Sequence, residues 1–154
     1  MPMPMPMPMP MPTELRRVSP ADAKLVENVA DDVFDEPVRP DRLARYLADP
    51  GHLMLVAVDE GVVVAQCAAV VHRHPDKVTE LYVDEMGTAP SHQRRGIARD
   101  LMRAMFDWGR ELGCEEAWLG TELDNEAANA LYRSVDGRTD TMAYYEFDLR
   151  RTER

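Results

Sequence analysis

Thr88-Ala89-Pro90-Ser91-His92-Gln93-Arg94-Arg95-Gly96-Ile97-Ala98-Arg99 is the stretch on which the reading of this chain turns. It is polar up to Arg95 and then becomes periodic. Ile97, Leu101, Met105, Trp108 and Leu112 recur at steps of three and four, so a helix with one buried face is expected over residues 94–112, closed by Gly113 in the left-handed conformation. The first-turn amides of a helix have no partner within it, and the helix dipole places partial positive charge there. Gly96 and Ala98 leave the backbone unobstructed, while Arg94, Arg95 and Arg99 add cations to an otherwise acidic chain. A pyrophosphate suits such a loop-to-helix junction. The plainer alternative is a basic helix start with a small-residue contact.

On the N-terminal side, residues 78–86 are expected as a strand. Before it, residues 53–58 and 62–71 read as a hairpin around Asp59-Glu60-Gly61, and the second of these strands is apolar enough to be covered on both faces. Earlier still come a first strand over 13–18 and a helix opened by Ser19-Pro20 with Leu25, Val26, Val29 and Val33 as its stripe. A second helix begins at Pro40, carries Leu43, Tyr46 and Leu47, and ends at Asp49-Pro50-Gly51. Beyond the long helix, a strand at 117–119, a helix over 125–134 and a last strand over 142–149 complete the order β-α-α-β-β-β-α-β-α-β. The expected fold class is α+β: a mixed, largely antiparallel sheet with helices on both faces, in one domain over 13–150. Residues 1–12 are six Met-Pro repeats, which exclude helix and central strand and imply an extended tail; residues 151–154 form a C-terminal tail.

Composition narrows the function classes. With 154 residues, one domain and one site are expected. The 28 acidic and 18 basic residues give a net charge of −10, which disfavours nucleic acid as a partner and favours cations, although acidity also simply keeps a protein soluble. Cys67 and Cys114 lie in or beside apolar runs without metal or redox spacing, so both are expected as buried hydrophobes in a reducing, cytoplasmic setting. No apolar stretch approaches the roughly 20 residues of a membrane span, and no secretory signal is recognisable at the start. His72 and His74 form an H-x-H pair with no further ligand spaced to complete a site, so no metal is expected.

Gln93-Arg94-Arg95-Gly96-Ile97-Ala98 matches the pattern Gln/Arg-x-x-Gly-x-Gly/Ala, and Asn125-Glu126-Ala127-Ala128-Asn129-Ala130-Leu131-Tyr132 matches Asn-x-x-Ala-x-x-Leu-Tyr. On these two motifs and the order of elements the chain resembles the GNAT N-acetyltransferases. It departs from them after Tyr132, where Val135-Asp136-Gly137-Arg138 replaces the usual Gly-Phe. The resemblance implies acetyl-coenzyme A as cosubstrate, held by Gln93, Arg94, Arg95, Gly96, Ile97, Ala98, Arg99 and Asn125. It also implies a strand bulge at Met86, Gly87 and Thr88 beside the pantetheine arm. Tyr132 corresponds to the acid that protonates the departing thiolate, a core aromatic being the alternative. Glu85 is the expected base or ammonium anchor, a solvated carboxylate being the alternative.

Within that family the chain is most similar to type I aminoglycoside 3-N-acetyltransferases, through Glu80-Leu81-Tyr82-Val83-Asp84-Glu85, Ala130-Leu131-Tyr132 and Glu146-Phe147-Asp148-Leu149. This implies acetylation of an aminoglycoside, at the 3-amino group, by direct attack in a ternary complex. Asp32, Asp35, Glu36, Asp84, Glu122 and Asp124 are the candidate residues around the cationic acceptor, with Asp31 in the same cluster. A polyamine or a protein amine would satisfy the same charges, and a non-catalytic acyl-coenzyme A sensor would retain the same fold. A homodimer is expected, through the exposed edge of the last strand.

Overall fold

In the computed structural model, residues 2–5 and 13–150 are described, and they build one five-stranded sheet in the order β1-β2-β3-β4-β5. The strands are β1 (Glu14–Arg17), β2 (His52–Asp59), β3 (Val62–His72), β4 (Glu80–Thr88) and β5 (Glu116–Trp118). The first four pair antiparallel in sequence, and β5 joins β4 in parallel. Glu60 at φ 50° and Gly61 at φ 79° make the two-residue turn between β2 and β3, a left-handed pair that matches the twist of the strands it joins. Every residue of β3 from Val63 to Ala69 is buried, as its continuous apolar run implies. The helices are α1 (Pro40–Ala48), α2 (Ile97–Glu111) and α3 (Glu126–Ser134), with short 3-10 helices at Pro20–Glu27 and Pro90–His92. The α+β class with a mixed sheet therefore stands.

Four expectations change. The first helix is a 3-10 helix that stops at Glu27, and Val29 pairs with Val63 as an isolated bridge. The cause is an open edge: β4 begins pairing with β3 only at Ala65, so the start of β3 is free to bond Asn28 O and the Ala30 amide, both at 2.9 Å. β4 runs two residues later than expected, over Glu80–Thr88. α2 begins at Ile97, because Arg94 at φ 63° and Gly96 at φ 80° cannot continue a right-handed helix. Its end is as expected, with Gly113 at φ 91°.

The largest departure is at the C-terminus. Residues 142–149 alternate like a strand but join no sheet among the described residues, and Met142, Tyr144, Tyr145, Phe147 and Leu149 are all exposed. Alternation specifies a face for a strand but not a neighbour, and β5 is only three residues long, so it offers little edge to pair with. Cys67 and Cys114 are buried and unbonded as expected, and burial pushes the Cys67 thiol up to about 12. Residues 2–5 of the Met-Pro tail have no regular structure, while the rest of that tail and residues 151–154 lie outside the described residues. No helix among the described residues is long and apolar enough to cross a membrane.

Candidate active site

The loop ahead of α2 is an anion cradle by geometry as well as by composition. Left-handed backbone at Arg94 and Gly96 turns successive amides toward one side, and Gly96 is the N-cap of α2. Asp100 N bonds Gly96 O at 3.0 Å, so the amides of residues 97–99 have no partner inside the helix. A side chain added at Gly96 would meet nothing within 4 Å, which leaves the rim of the loop open to a ligand. Arg94, Arg95 and Arg99 are exposed around it, whereas Ile97 turns inward and anchors the helix in the core. The loop is fixed from below by Gln93 Nε2 donating to Thr88 O at 3.2 Å and by the Ala89 amide donating to Val64 O at 2.8 Å. The His92 ring adds a third tie, spanning Ser91 Oγ at 2.7 Å and Asp59 Oδ2 at 2.6 Å.

The bulge in β4 falls at Asp84 rather than at Met86, Gly87 and Thr88. Ala69 opposes Val83 and Ala68 opposes Glu85, so Asp84 is the extra residue; Met86, Gly87 and Thr88 pair regularly with Cys67, Gln66 and Ala65. Strict alternation would send Asp84 and Glu85 to opposite faces. The inserted residue cancels that, and both line one cavity of about 550 Å³ with Phe34, Asp35, Glu36 and Tyr46. On its other edge β4 pairs with β5 only from Glu80 to Tyr82, so among the described residues no strand lies beside residues 83–88 there. β5 stops short of the point where the two carboxylates emerge, which leaves that edge of β4 open.

Glu85 accepts a hydrogen bond from the Asp35 amide, yet its carboxyl stays above the usual carboxylate range, chiefly because it is partly buried and then because the Asp35 and Asp84 charges repel its own. Tyr46 donates its hydroxyl to Leu53 O at 2.7 Å, and burial together with Asp84 keeps that hydroxyl protonated. Gly87 is a point of close approach: a Cβ added there would clash with the Val33 carbonyl oxygen, and Gln66 Nε2 donates to that same oxygen at 3.3 Å. These contacts hold the acidic loop 31–36 over β4.

Tyr132 lies on α3. Asn125 Oδ1 accepts from the Ala128 amide at 3.1 Å and starts this helix, and the Gly137 amide donates to Tyr132 O at 2.9 Å where it ends. Burial is the main reason the Tyr132 hydroxyl is raised above its ordinary value, and the Cys67 thiol is the second.

An open anion cradle, a bulged strand leading into it and a partly buried phenol that keeps its proton occur together over residues 84–132. Residues 23–136 match the acetyltransferase (GNAT) family. This chain belongs to the GNAT acetyltransferase family. It is 35% identical over 103 residues to the N-alpha-acetyltransferase RimI of Mycobacterium tuberculosis, a match covering 67% of this chain and 63% of that protein. Among solved structures, an aminoglycoside acetyltransferase from an uncultured soil metagenomic sample superposes with a TM-score of 0.76 at 22% identity, covering 90% of this chain and 99% of that one. Aminoglycoside N-acetyltransferase AAC(6')-Iy in complex with CoA superposes with a TM-score of 0.73 at 17% identity, covering 88% of this chain and 94% of that one. The two structural matches share the fold.

Several predicted site residues of this GNAT chain converge and others do not. Asp35, Glu36, Asp84 and Glu85 share the smaller cavity, together with Arg39 and Arg42, which offset part of the negative charge. Asp31 and Asp32 line an adjoining cavity of about 600 Å³ that also takes in Asp35 and Glu36. Glu122 and Asp124 line neither cavity. The loop holding them is tied through its backbone, with Asn129 Nδ2 donating to Glu122 O at 3.1 Å, and their side chains are exposed. The Asn125 side-chain oxygen is occupied as a helix cap, which leaves its amide nitrogen for any other role. Sequence reasoning missed Gln66, Asn129 and the Asp59–His92 pair. Asn129 lay inside the quoted motif, but the other two make contacts 33 residues away in sequence that no local pattern announces.

Proposed function

We propose that this chain is an acetyl-CoA-dependent N-acetyltransferase whose acceptor is an amino group of an aminoglycoside, attacked directly in a ternary complex. The observation that carries the reading is the bulge at Asp84, which sets two consecutive carboxylates into one cavity with Asp35 and Glu36. A polycation is bound well there, and an anionic or apolar acceptor poorly. Acetyl-CoA supplies the activated acetyl thioester when bound. Amides 97–99 with Arg94, Arg95 and Arg99 are suited to its pyrophosphate, and the unpaired edge of β4 at residues 83–88 offers backbone groups to its pantetheine arm. Glu85 Oε, held above the ordinary carboxylate range, takes the proton that the acceptor ammonium must lose. Tyr132 keeps its proton at neutral pH and delivers it from its hydroxyl to the departing sulfur.

The test is thiol release from acetyl-CoA across aminoglycosides, polyamines and peptides with free amino termini. Release with aminoglycosides is the expected result. Release only with peptides would favour the second reading, an N-terminal protein acetyltransferase, which the 35% identity to RimI supports. No release with any amine would leave an acyl-CoA-binding sensor. The 3-amino position rests on a resemblance whose C-terminal part, 146–149, forms no strand, and AAC(6')-Iy carries a different position in its name. Regiochemistry is therefore read from the acetylated product itself. Replacing Tyr132 with Phe is expected to lower kcat by about 100-fold while acetyl-CoA affinity holds; an unchanged kcat would remove Tyr132 from the reaction.

The C-terminal segment supports a homodimer. Met142, Tyr144, Tyr145, Phe147 and Leu149 are 77–93% exposed, an apolar display that a soluble monomer rarely leaves uncovered. A second copy would cover it, with the alternating segment laid on a sheet edge of its partner. Sedimentation is expected to show a dimer that dissociates when the chain is cut after Asp140. A full-length chain that sediments as a monomer would overturn this arrangement.

A further inference from the structure

His72 and Glu80 face each other across the β3–β4 pair, at the end of these strands remote from the anion cradle. His74 folds back beside them, its ring centroid 4.2 Å from that of His72. One donor atom from each of His72, His74 and Glu80 lies within 4.8 Å of the other two. His74 Nε2 stands 3.4 Å from Glu80 Oε1 but forms no hydrogen bond with it, and this buried nitrogen has no other partner among the described residues. A tetrahedral metal with bonds of about 2.0–2.1 Å keeps its donors about 3.3–3.4 Å apart. The separation already present between His74 and Glu80 is that of two ligands across one ion. The H-x-H spacing alone lacked a third ligand; the hairpin supplies it from the facing strand.

We infer that His72, His74 and Glu80 form a binding site for a late first-row divalent cation, zinc being the best match. Two imidazoles and one carboxylate are a nitrogen-rich borderline set that suits zinc and discriminates against magnesium and calcium, which prefer all-oxygen shells. Three protein ligands leave a fourth position for water or a further carboxylate. The ion clips the connection 73–79 across the ends of β3 and β4, beside the point where Glu80 pairs with Glu116 of β5. It stands apart from the acetyl-transfer residues, so its effect is on the stability of the strand pair that carries Asp84 and Glu85.

The full-length chain, freed of any affinity tag and stripped with a chelator, is titrated with zinc and separately with magnesium. Uptake of one zinc per chain, with a zinc-dependent rise in Tm and no response to magnesium, is expected. Both effects should be lost in His72→Ala and His74→Ala and weakened in Glu80→Gln, with metal-free melting of each variant compared with the metal-free parent as the check on folding. His72 is exposed, so its replacement keeps the test available if the His74 variant folds poorly. No zinc uptake would overturn the site and leave an ordinary His74–Glu80 ion pair. Equal uptake in His72→Ala would place the ion elsewhere, and equal uptake in Glu80→Gln would remove the carboxylate from the ligand set; either result overturns it.

Discussion

Gly87→Ala is expected to lose about 2–3 kcal/mol of stability, an overpacking cost that corresponds to a fall in Tm of roughly 4–12 °C in a chain of this size. The new Cβ would clash with the Val33 carbonyl oxygen and lie 2.8 Å from the carbonyl carbon, and a backbone atom cannot swing aside as a side-chain tip can. The φ of Gly87 is not the obstacle, since Gly87 is not among the glycines held at positive φ. Space is. The segment at Val33 must lift, which breaks the bond from Gln66 Nε2 and displaces Asp35 and Glu36 from above β4. In the proposed reaction these two carboxylates bind the acceptor, and misplacing such groups by about 1 Å costs on the order of 100-fold in rate, so kcat/KM for the amine should fall by about that factor. Gly51→Ala is the matched control, because its nearest contact is the flexible Asp49 carboxylate at 3.3 Å. Thermal melts of the two variants give the answer, and a Gly87→Ala protein as stable as the Gly51→Ala protein would refute the close-packing argument.

The contrast between Gly87 and Asp84 shows what the residues alone could and could not reveal. A glycine in a strand announces either a bulge or a close approach, and the family resemblance put a bulge at Gly87. Choosing between them needs the register of β3 against β4, which the packing of both strands determines together. The bulge lies at an aspartate, a residue with no special claim to that position, so no local signal marks it. The anion cradle was legible for the opposite reason. Its chemistry depends on consecutive residues at a loop-to-helix junction, and only the start of α2 shifted, by three residues, once Arg94 and Gly96 took left-handed conformations. The hairpin was legible because Glu60-Gly61 encodes its own turn. Residues 142–149 show the limit of periodicity, since alternation without a neighbouring edge does not make a strand.

Glu85→Gln is expected to separate activity from stability, because the environment that suits Glu85 to accept a proton also penalises its charge. Partial burial and the nearby Asp35 and Asp84 raise its carboxyl above the usual range in the folded protein. The folded state therefore holds this proton more tightly than the unfolded state does. The resulting stability is fully present below the ordinary carboxylate pKa and is lost as pH rises through the higher folded value. At neutral pH the charge is a liability to the fold, and the neutral isostere, which can still accept the Asp35 amide hydrogen bond, should melt no lower than the parent. That advantage should vanish once the pH drops below the unfolded carboxylate value. Activity should move the other way, falling by about 100-fold or more, with the acidic limb of the pH–rate profile lying above the ordinary carboxylate range in the parent and absent in the variant. Asp84→Asn relieves one of the like charges on Glu85, so it should shift the same limb toward lower pH without abolishing it. A Glu85→Gln protein that loses stability at neutral pH would refute the charge penalty, and one that retains the limb would assign the proton transfer to another group. The bulge would then serve to bind the acceptor's cations, with the base elsewhere along the open edge of β4.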